Sequence, residues 1–180
     1  MMEGVLLASV GVLALLSNID VATWAATVWR VLALLAGVAL LIILYPPHPV
    51  SEWQLIWRDP QQRQHTMIAV VVVLASTAEL AQANAGITVF EYVWPIALIF
   101  IGALFMMHTQ HGHGDAVHRA VLRHRILGIT VIVAGLLRLL EIIIRSDTLA
   151  LLWPIVLLIA AFQLLIYREP EGAFDESGSH

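Results

Sequence analysis

Side chains that could bind a transition metal are concentrated in one short segment of the sequence. Five of the eight histidines fall within 17 residues, and three of them, His108, His111 and His113, directly follow Met106 and Met107. Imidazole nitrogen binds copper, zinc, nickel and iron, and thioether sulfur favours Cu(I). Two interpretations follow: a surface loop that merely tolerates polar histidines, which is favoured, and a copper or zinc site, which the composition also indicates.

A second group of histidines suggests a different cofactor. His65 and His124 are 59 positions apart, and the sequence between and beyond them is duplicated with that spacing. The two side chains should therefore lie at matching depths on two equivalent helices, where they could face a shared ligand. Histidine is a common axial ligand of haem iron. A haem or chlorin held by these histidines, or by His108, is the less favoured alternative to copper or zinc.

Charged residues interrupt the apolar segments and form a third candidate site. Glu79 and Gln82 lie in one apolar run, and Arg138 and Glu141 occupy the matching positions of another, 59 residues later. A charge at the centre of a bilayer costs at least about 2.5 kcal/mol, so it normally has a partner. We expect Glu79 to pair with Arg138, although Arg138 and Glu141 are also close enough in sequence to pair within one helix. Arg30 is a further buried charge, for which the sequence names no partner.

The composition excludes several classes of function. Hydrophobic residues make up 60% of the 180 residues and charged residues only 12%, whereas a soluble domain has about 25% charged residues. Most of the surface should therefore contact lipid. The absence of cysteine excludes thiolate metal sites and cysteine nucleophiles, and the absence of lysine excludes a P-loop. No basic surface suggests nucleic acid, and no catalytic constellation is present, so we expect a protein that is not an enzyme.

The elements that must position these residues are helical hairpins. Residues 65–113 reappear as residues 124–172, with Trp94-Pro95-Ile96 matching Trp153-Pro154-Ile155. Each copy contains two apolar runs, and a helix needs about 20 apolar residues to cross a bilayer. We count six such runs in the whole chain, of which the first, about 4–19, is short. The sequence thus predicts an all-α protein with six transmembrane helices built as tandem hairpin repeats.

We expect the chain to form a single membrane domain, 1–180. Its predicted parts are a hairpin at 1–45, a cytoplasmic interfacial loop at 46–65, a hairpin repeat at 65–113, a His-rich loop at 108–124, a second hairpin repeat at 124–172 and an acidic tail at 169–180.

Arginine placement predicts the orientation in the membrane. The segments 46–65 and 109–125 and the tail carry six arginines, whereas the short loops on the other side carry only Arg145. The positive-inside rule then puts both termini and both long loops in the cytoplasm of a bacterial inner membrane. Trp94 and Trp153 lie near helix ends, as an interfacial aromatic belt would require, and the Trp-Pro pairs are expected to start helices.

Two stretches resemble known families. Residues 106–135, in which the Met/His loop runs into His124-Arg125-Ile126-Leu127-Gly128, resemble segments of bacterial copper-resistance membrane proteins. That resemblance covers about a sixth of the chain and implies copper import with a periplasmic loop, whereas the arginine distribution puts the loop in the cytoplasm. The layout of three short hairpins is similar to that of small stress membrane proteins of the HdeD type. Neither resemblance assigns a role to a particular residue.

Three functions follow as expectations. The first is a non-catalytic membrane protein, either an accessory subunit of a larger membrane complex or a stress-related protein, whose His/Met loop binds a transition metal. The second is a transporter or channel for metal ions or protons that uses the intramembrane Glu/Arg cluster. The third is a redox subunit that holds haem or chlorin. The expected partners are the lipid bilayer and other membrane subunits.

Overall fold

A computed structural model describes residues 2–19, 24–44, 60–107 and 115–166, which are almost entirely helical. The helices are α1 (Met2–Asn18), α2 (Ala25–Leu44), α3 (Pro60–Ala85), α4 (Val93–Met107), α5 (Asp115–Ile144) and α6 (Asp147–Ile166), with a 3-10 helix at Thr88–Tyr92. These residues contain no strand. The all-α prediction is confirmed.

Five segments are long and apolar enough to cross a membrane. They are Ala25–Ile42, Arg63–Ala85, Thr88–Met107, Val121–Ile144 and Asp147–Ile166, with mean hydropathies between 1.7 and 2.6. The apolar part of α1, Leu7–Asn18, is shorter than these. The lengths are compatible with a lipid environment, since 20 helical residues span about 30 Å.

The interfacial loop expected at 46–65 ends earlier than predicted. Helix α3 begins at Pro60, where a proline is tolerated because the first N–H groups of a helix have no partner within it. The rest of that loop, up to residue 59, and the acidic tail lie outside the described residues. We call the end of the bundle at which Asn18, segment 86–92 and residues 145–146 lie the turn end, and the opposite end the loop end.

Two helices end in the same way at the turn end. Helix α3 ends at Ala85 and α5 at Ile144, 59 positions apart, and the next residues both have positive φ, 68° at Gly86 and 57° at Arg145. The N–H of each donates to a carbonyl four residues earlier, in Gln82 (2.9 Å) and Glu141 (2.7 Å). This is the left-handed helix cap that glycine usually provides. Arginine adopts it at a cost of about 1–2 kcal/mol.

The six helices pack as a closed ring. Each helix contacts its neighbours in sequence, and α6 also contacts α1. The buried core includes Ala14, Trp29, Leu98, Val131 and Leu157, so every helix except α3 is represented by these side chains. From α3, Ala75 joins the same core. Because α4 lies between α3 and α5 in the ring, those two helices are not direct neighbours.

A proline inside α6 helps to close the ring. We expected Trp153-Pro154 to start a helix, but α6 begins at Asp147 and runs through Pro154, so that prediction is wrong. Proline has no N–H and leaves the carbonyl four residues earlier without its helical partner. That carbonyl, on Ala150, accepts a hydrogen bond of 2.6 Å from the Asn18 side chain of α1. A neighbouring helix that satisfies the freed group is what allows proline inside an apolar helix.

Glycines allow α4 and α5 to approach closely. A Cβ atom on Gly128 would lie 2.6 Å from the carbonyl oxygen of Gly102, and one on Gly102 would lie 2.6 Å from that of Gly128. At Gly135, a Cβ would lie 2.8 Å from the carbonyl oxygen of Pro95. Both partners are backbone atoms, which cannot rotate away. The lack of a Cβ at Gly128 and Gly135 therefore permits the close packing of α4 and α5.

Candidate functional site

The predicted intramembrane charges gather near the turn end of the bundle. Glu79 and Arg138 each lie six residues before the last residue of their helix, and Arg30 lies five residues after the first residue of α2. At 1.5 Å per residue, all three are about 8–9 Å from the turn end of their helices. We call Arg30, Glu79, Arg138 and Glu141 the charge cluster.

Glu79 pairs with Arg30, a residue for which the sequence named no partner. The Arg30 Nε donates to the Glu79 Oε2 at 3.1 Å, which links α2 to α3. The Glu79 side chain is only 1% exposed and that of Arg30 is 16% exposed. Arg30 also donates from Nη1 to the carbonyl of Ala26 at 2.9 Å. The guanidinium is therefore held between its own helix and the carboxylate.

The prediction that Glu79 pairs directly with Arg138 is wrong. Arg138 donates instead to Glu141 of its own helix, which is the alternative that the i,i+3 spacing offered. The physical reason is the order of the ring, because α2 packs directly against α3, whereas α5 does not. Gln82 lies one turn beyond Glu79, half-buried.

Three tryptophans, one from each hairpin, pack inside the bundle beside the charge cluster. The Trp29 ring centroid is 5.5 Å from that of Trp94 and 6.5 Å from that of Trp153. The Arg30 guanidinium carbon lies 5.1 Å from the Trp29 centroid, and that of Arg138 lies 5.5 Å from the Trp153 centroid. A cation over an indole face contributes about 0.5–2 kcal/mol, more when water is excluded.

The aromatic-belt prediction is wrong for two of these tryptophans. Trp94 and Trp153 are buried in the bundle core, 4% and 2% exposed, whereas belt residues face lipid headgroups. The prediction used only their position near a helix end. The sequence of an apolar helix does not show which side faces lipid and which side faces protein, so it could not show that these two side chains point inward. Trp29 and Arg30 were not grouped with them because they lie outside the 59-residue duplication.

Four buried polar atoms in or beside this region have no hydrogen-bond partner among the described residues. They are the Ser76 Oγ, the Glu79 Oε1, the Trp94 Nε1 and the Trp153 Nε1. Ser76 lies one helical turn before Glu79 on the same face of α3. A buried polar atom without a partner costs about 1–3 kcal/mol. The site thus combines one salt-bridged carboxylate oxygen with one carboxylate oxygen that lacks a hydrogen-bond donor.

The described members of the predicted metal and cofactor sites lie at the loop end of the bundle. Met106 and Met107 are the last residues of α4 and are exposed, while His108, His111 and His113 lie outside the described residues. The described residues include no group of three or more histidines or carboxylates that could hold a metal ion. Met106 and Met107 at the loop end are therefore separate from the charge cluster at the turn end.

His65 and His124 are half-buried near the loop ends of α3 and α5. The His124 ring packs against Phe105 of α4, with ring centroids 6.5 Å apart. The two histidines therefore lie on helices that α4 separates in the ring. Their joint binding of haem or chlorin stays a prediction.

Comparison with known protein families, with curated proteins and with solved structures finds no match. The architecture is that of an all-helical protein whose helices could cross a bilayer, which is compatible with a polytopic membrane protein. The function must be argued from the geometry of the charge cluster and of the bundle surface.

Proposed function

We propose that this chain is a non-catalytic integral membrane protein of the bacterial inner membrane that acts as an accessory subunit of a membrane complex. Six crossings, arranged as tandem hairpins with both termini cytoplasmic, complete the proposal. The coincidence of helix ends and positive-φ residues 59 positions apart supports the hairpin repeat, and the distribution of arginines supports the orientation.

The observation that carries the proposal is how the charge cluster is used. Arg30 and Glu79 bind each other across α2 and α3, Arg138 binds Glu141, and two of the core tryptophans pack against the two guanidinium groups. The Arg30–Glu79 pair, whose charges neutralise each other inside the packed core, acts as a clamp between α2 and α3. A clamp of this kind stabilises a scaffold, and it does not by itself provide a route for a substrate.

The outer surface supports a role in assembly within the membrane. Large apolar side chains are exposed on every helix, for example Val12, Leu35, Leu74, Phe100, Ile143 and Phe162. Apolar surface of this extent must be covered by lipid or by other membrane helices.

Reconstitution into liposomes tests the proposal directly. The purified protein should support no proton or cation flux above that of empty liposomes, and the Glu79→Gln variant should behave in the same way. Affinity purification from mild detergent should retain a membrane protein of defined stoichiometry. Flux that disappears in Glu79→Gln but persists in the matched variant Glu141→Gln would overturn the accessory role.

A transporter of protons or metal cations is the second candidate, favoured by one specific observation. The Glu79 Oε1 is buried and has no hydrogen-bond donor among the described residues, so it is the atom best suited to hold a transient proton or cation. The flux assay separates the two candidates. A transporter that uses this oxygen should show flux that is lost in Glu79→Gln, whereas a structural clamp should show no flux in either form.

We further propose that the His/Met segment binds copper or zinc. The exposure of Met106 and Met107 at the end of α4 supports the proposal, since both thioethers lie next to the three loop histidines in sequence. Metal analysis of the purified protein should find about one copper or zinc per chain. Replacement of His108, His111 and His113 by alanine should abolish that metal, whereas His118→Ala, on the exposed surface of α5, should retain it. Equal metal content in both variants would contradict the site.

A further inference from the structure

A groove between α5 and α6 at the loop end is separate from the charge cluster. Its volume is about 460 Å³, and its apolar walls include Leu127 of α5 and Phe162 and Ile166 of α6. Phe162 and Ile166 are also exposed on the outer surface, so the groove opens sideways toward the surroundings of the bundle. Arg123 lines the groove and lies 15 residues before Arg138 on α5, a separation of about 22 Å along the axis.

One end of the groove is polar and positively charged. Arg123 and His124 line that end, and exposed Arg119 lies one turn earlier on the same face of α5. No carboxylate lines the groove within the described part of the chain. The apolar part of α5 begins at Val121. Arg119 lies two residues before Val121 and Arg123 two residues after it, so both guanidinium groups are near the start of the apolar surface.

A hydrogen bond joins the two helices beside the groove. The Gln163 Nε2 donates to the Thr130 Oγ1 at 3.2 Å, and that hydroxyl donates to the Ile126 carbonyl at 2.9 Å. Since the threonine proton is used on the carbonyl, its oxygen must accept from the amide. This bond holds α5 and α6 at a fixed separation below the arginines.

We propose that this groove binds one anionic phospholipid. An acyl chain packs along Leu127 and Phe162, and the phosphate contacts Arg119 and Arg123. Charge complementarity favours a headgroup of net negative charge, because Arg119 and Arg123 each carry a positive charge and no carboxylate lines the groove among the described residues. Basic grooves between membrane helices recognise anionic headgroups in this way. Arginine also binds phosphate through two parallel hydrogen bonds, which a neutral surface cannot offer.

Native mass spectrometry of the purified full chain tests the site, with phosphatidylglycerol and phosphatidylcholine of identical acyl chains as probes. We expect one tightly bound phosphatidylglycerol and at least about tenfold weaker phosphatidylcholine binding, as two arginines near a headgroup would give. Arg119→Gln combined with Arg123→Gln should remove the preference. Arg125→Gln, which removes the same charge from another face of α5, should keep it.

A second variant tests the acyl-chain part of the site without changing charge. Ile159 lines the groove and is 49% exposed, so Ile159→Trp should fill the groove without disturbing the core. Phosphatidylglycerol binding should then fall at least about tenfold, while the melting temperature stays unchanged. Three results would overturn the proposal: an unchanged preference in the double arginine variant, unchanged binding in Ile159→Trp, or competition by inorganic phosphate at the affinity of the lipid.

Discussion

The Arg30–Glu79 pair provides the most discriminating test of the fold, through the variants Arg30→Met, Glu79→Met and the double variant. Both positions lie in the interior, and the carboxylate is almost completely buried, whereas the guanidinium keeps 16% of its side-chain surface exposed. Methionine has a similar length to both residues and carries no charge, so it removes the ion pair while it still fills the space.

The expected losses differ because the two partners are buried to different extents. Arg30→Met leaves the carboxylate without a cation in direct contact and also removes the cation over Trp29, so it should cost about 4–5 kcal/mol of unfolding free energy. Glu79→Met leaves the more exposed guanidinium, which can shift toward water, and should cost about 3 kcal/mol. The double variant should lose less than either single variant, because an apolar pair replaces a buried ion pair almost without cost.

Equilibrium unfolding in mixed detergent micelles, followed by tryptophan fluorescence, measures these free energies. Trp29 lies next to the pair and should report directly on its environment. Arg145→Met serves as a matched control, because the Arg145 side chain of the Arg145–Glu91 pair is 70% exposed and an exposed pair contributes about 0–1 kcal/mol.

Two results would refute the argument. Losses that simply add in the double variant would show that Arg30 and Glu79 do not interact in the folded protein. A stronger coupling of Glu79→Met with Arg138→Met than with Arg30→Met would show that the carboxylate pairs across α3 and α5, as the duplication alone suggested.

Three further predictions concern the backbone. Asn18→Ala removes the donor to the Ala150 carbonyl and should lower the unfolding free energy by about 1–3 kcal/mol; an unchanged denaturation midpoint would contradict that role. Gly128→Ala places a Cβ 2.6 Å from the Gly102 carbonyl oxygen and should lower the unfolding free energy by about 1–3 kcal/mol. An unchanged unfolding free energy would show that α4 and α5 are less closely packed than described. Arg145→Gly removes a non-glycine residue with φ of 57° and should raise the unfolding free energy by up to about 1 kcal/mol. The ion pair of Arg145 with Glu91, at 3.3 Å, is lost at little cost because the Arg145 side chain is 70% exposed; a lower midpoint would show that the ion pair matters more than the backbone.

Local features of the sequence determined the helices. The lengths of the apolar runs gave an all-α chain with membrane-crossing lengths, because a helix satisfies its own backbone hydrogen bonds and needs only a sufficient number of apolar residues. Helices α3 and α5 end 59 residues apart, which is the spacing of the duplication in the sequence. Gly128 and Gly135 were recognisable as sites of close packing because a missing Cβ is a property of the residue itself.

The tertiary structure alone decided which helices are neighbours and which side of each helix faces inward. Equal depth suggested Arg138 as the partner of Glu79, but the ring places α2, with Arg30, directly against α3. Trp94 and Trp153 were expected at the membrane surface and instead pack in the core. In a uniformly apolar helix, the lipid-facing and protein-facing sides have the same composition, so periodicity carries no signal for orientation. Only the packing of all six helices fixes the partner of each polar group.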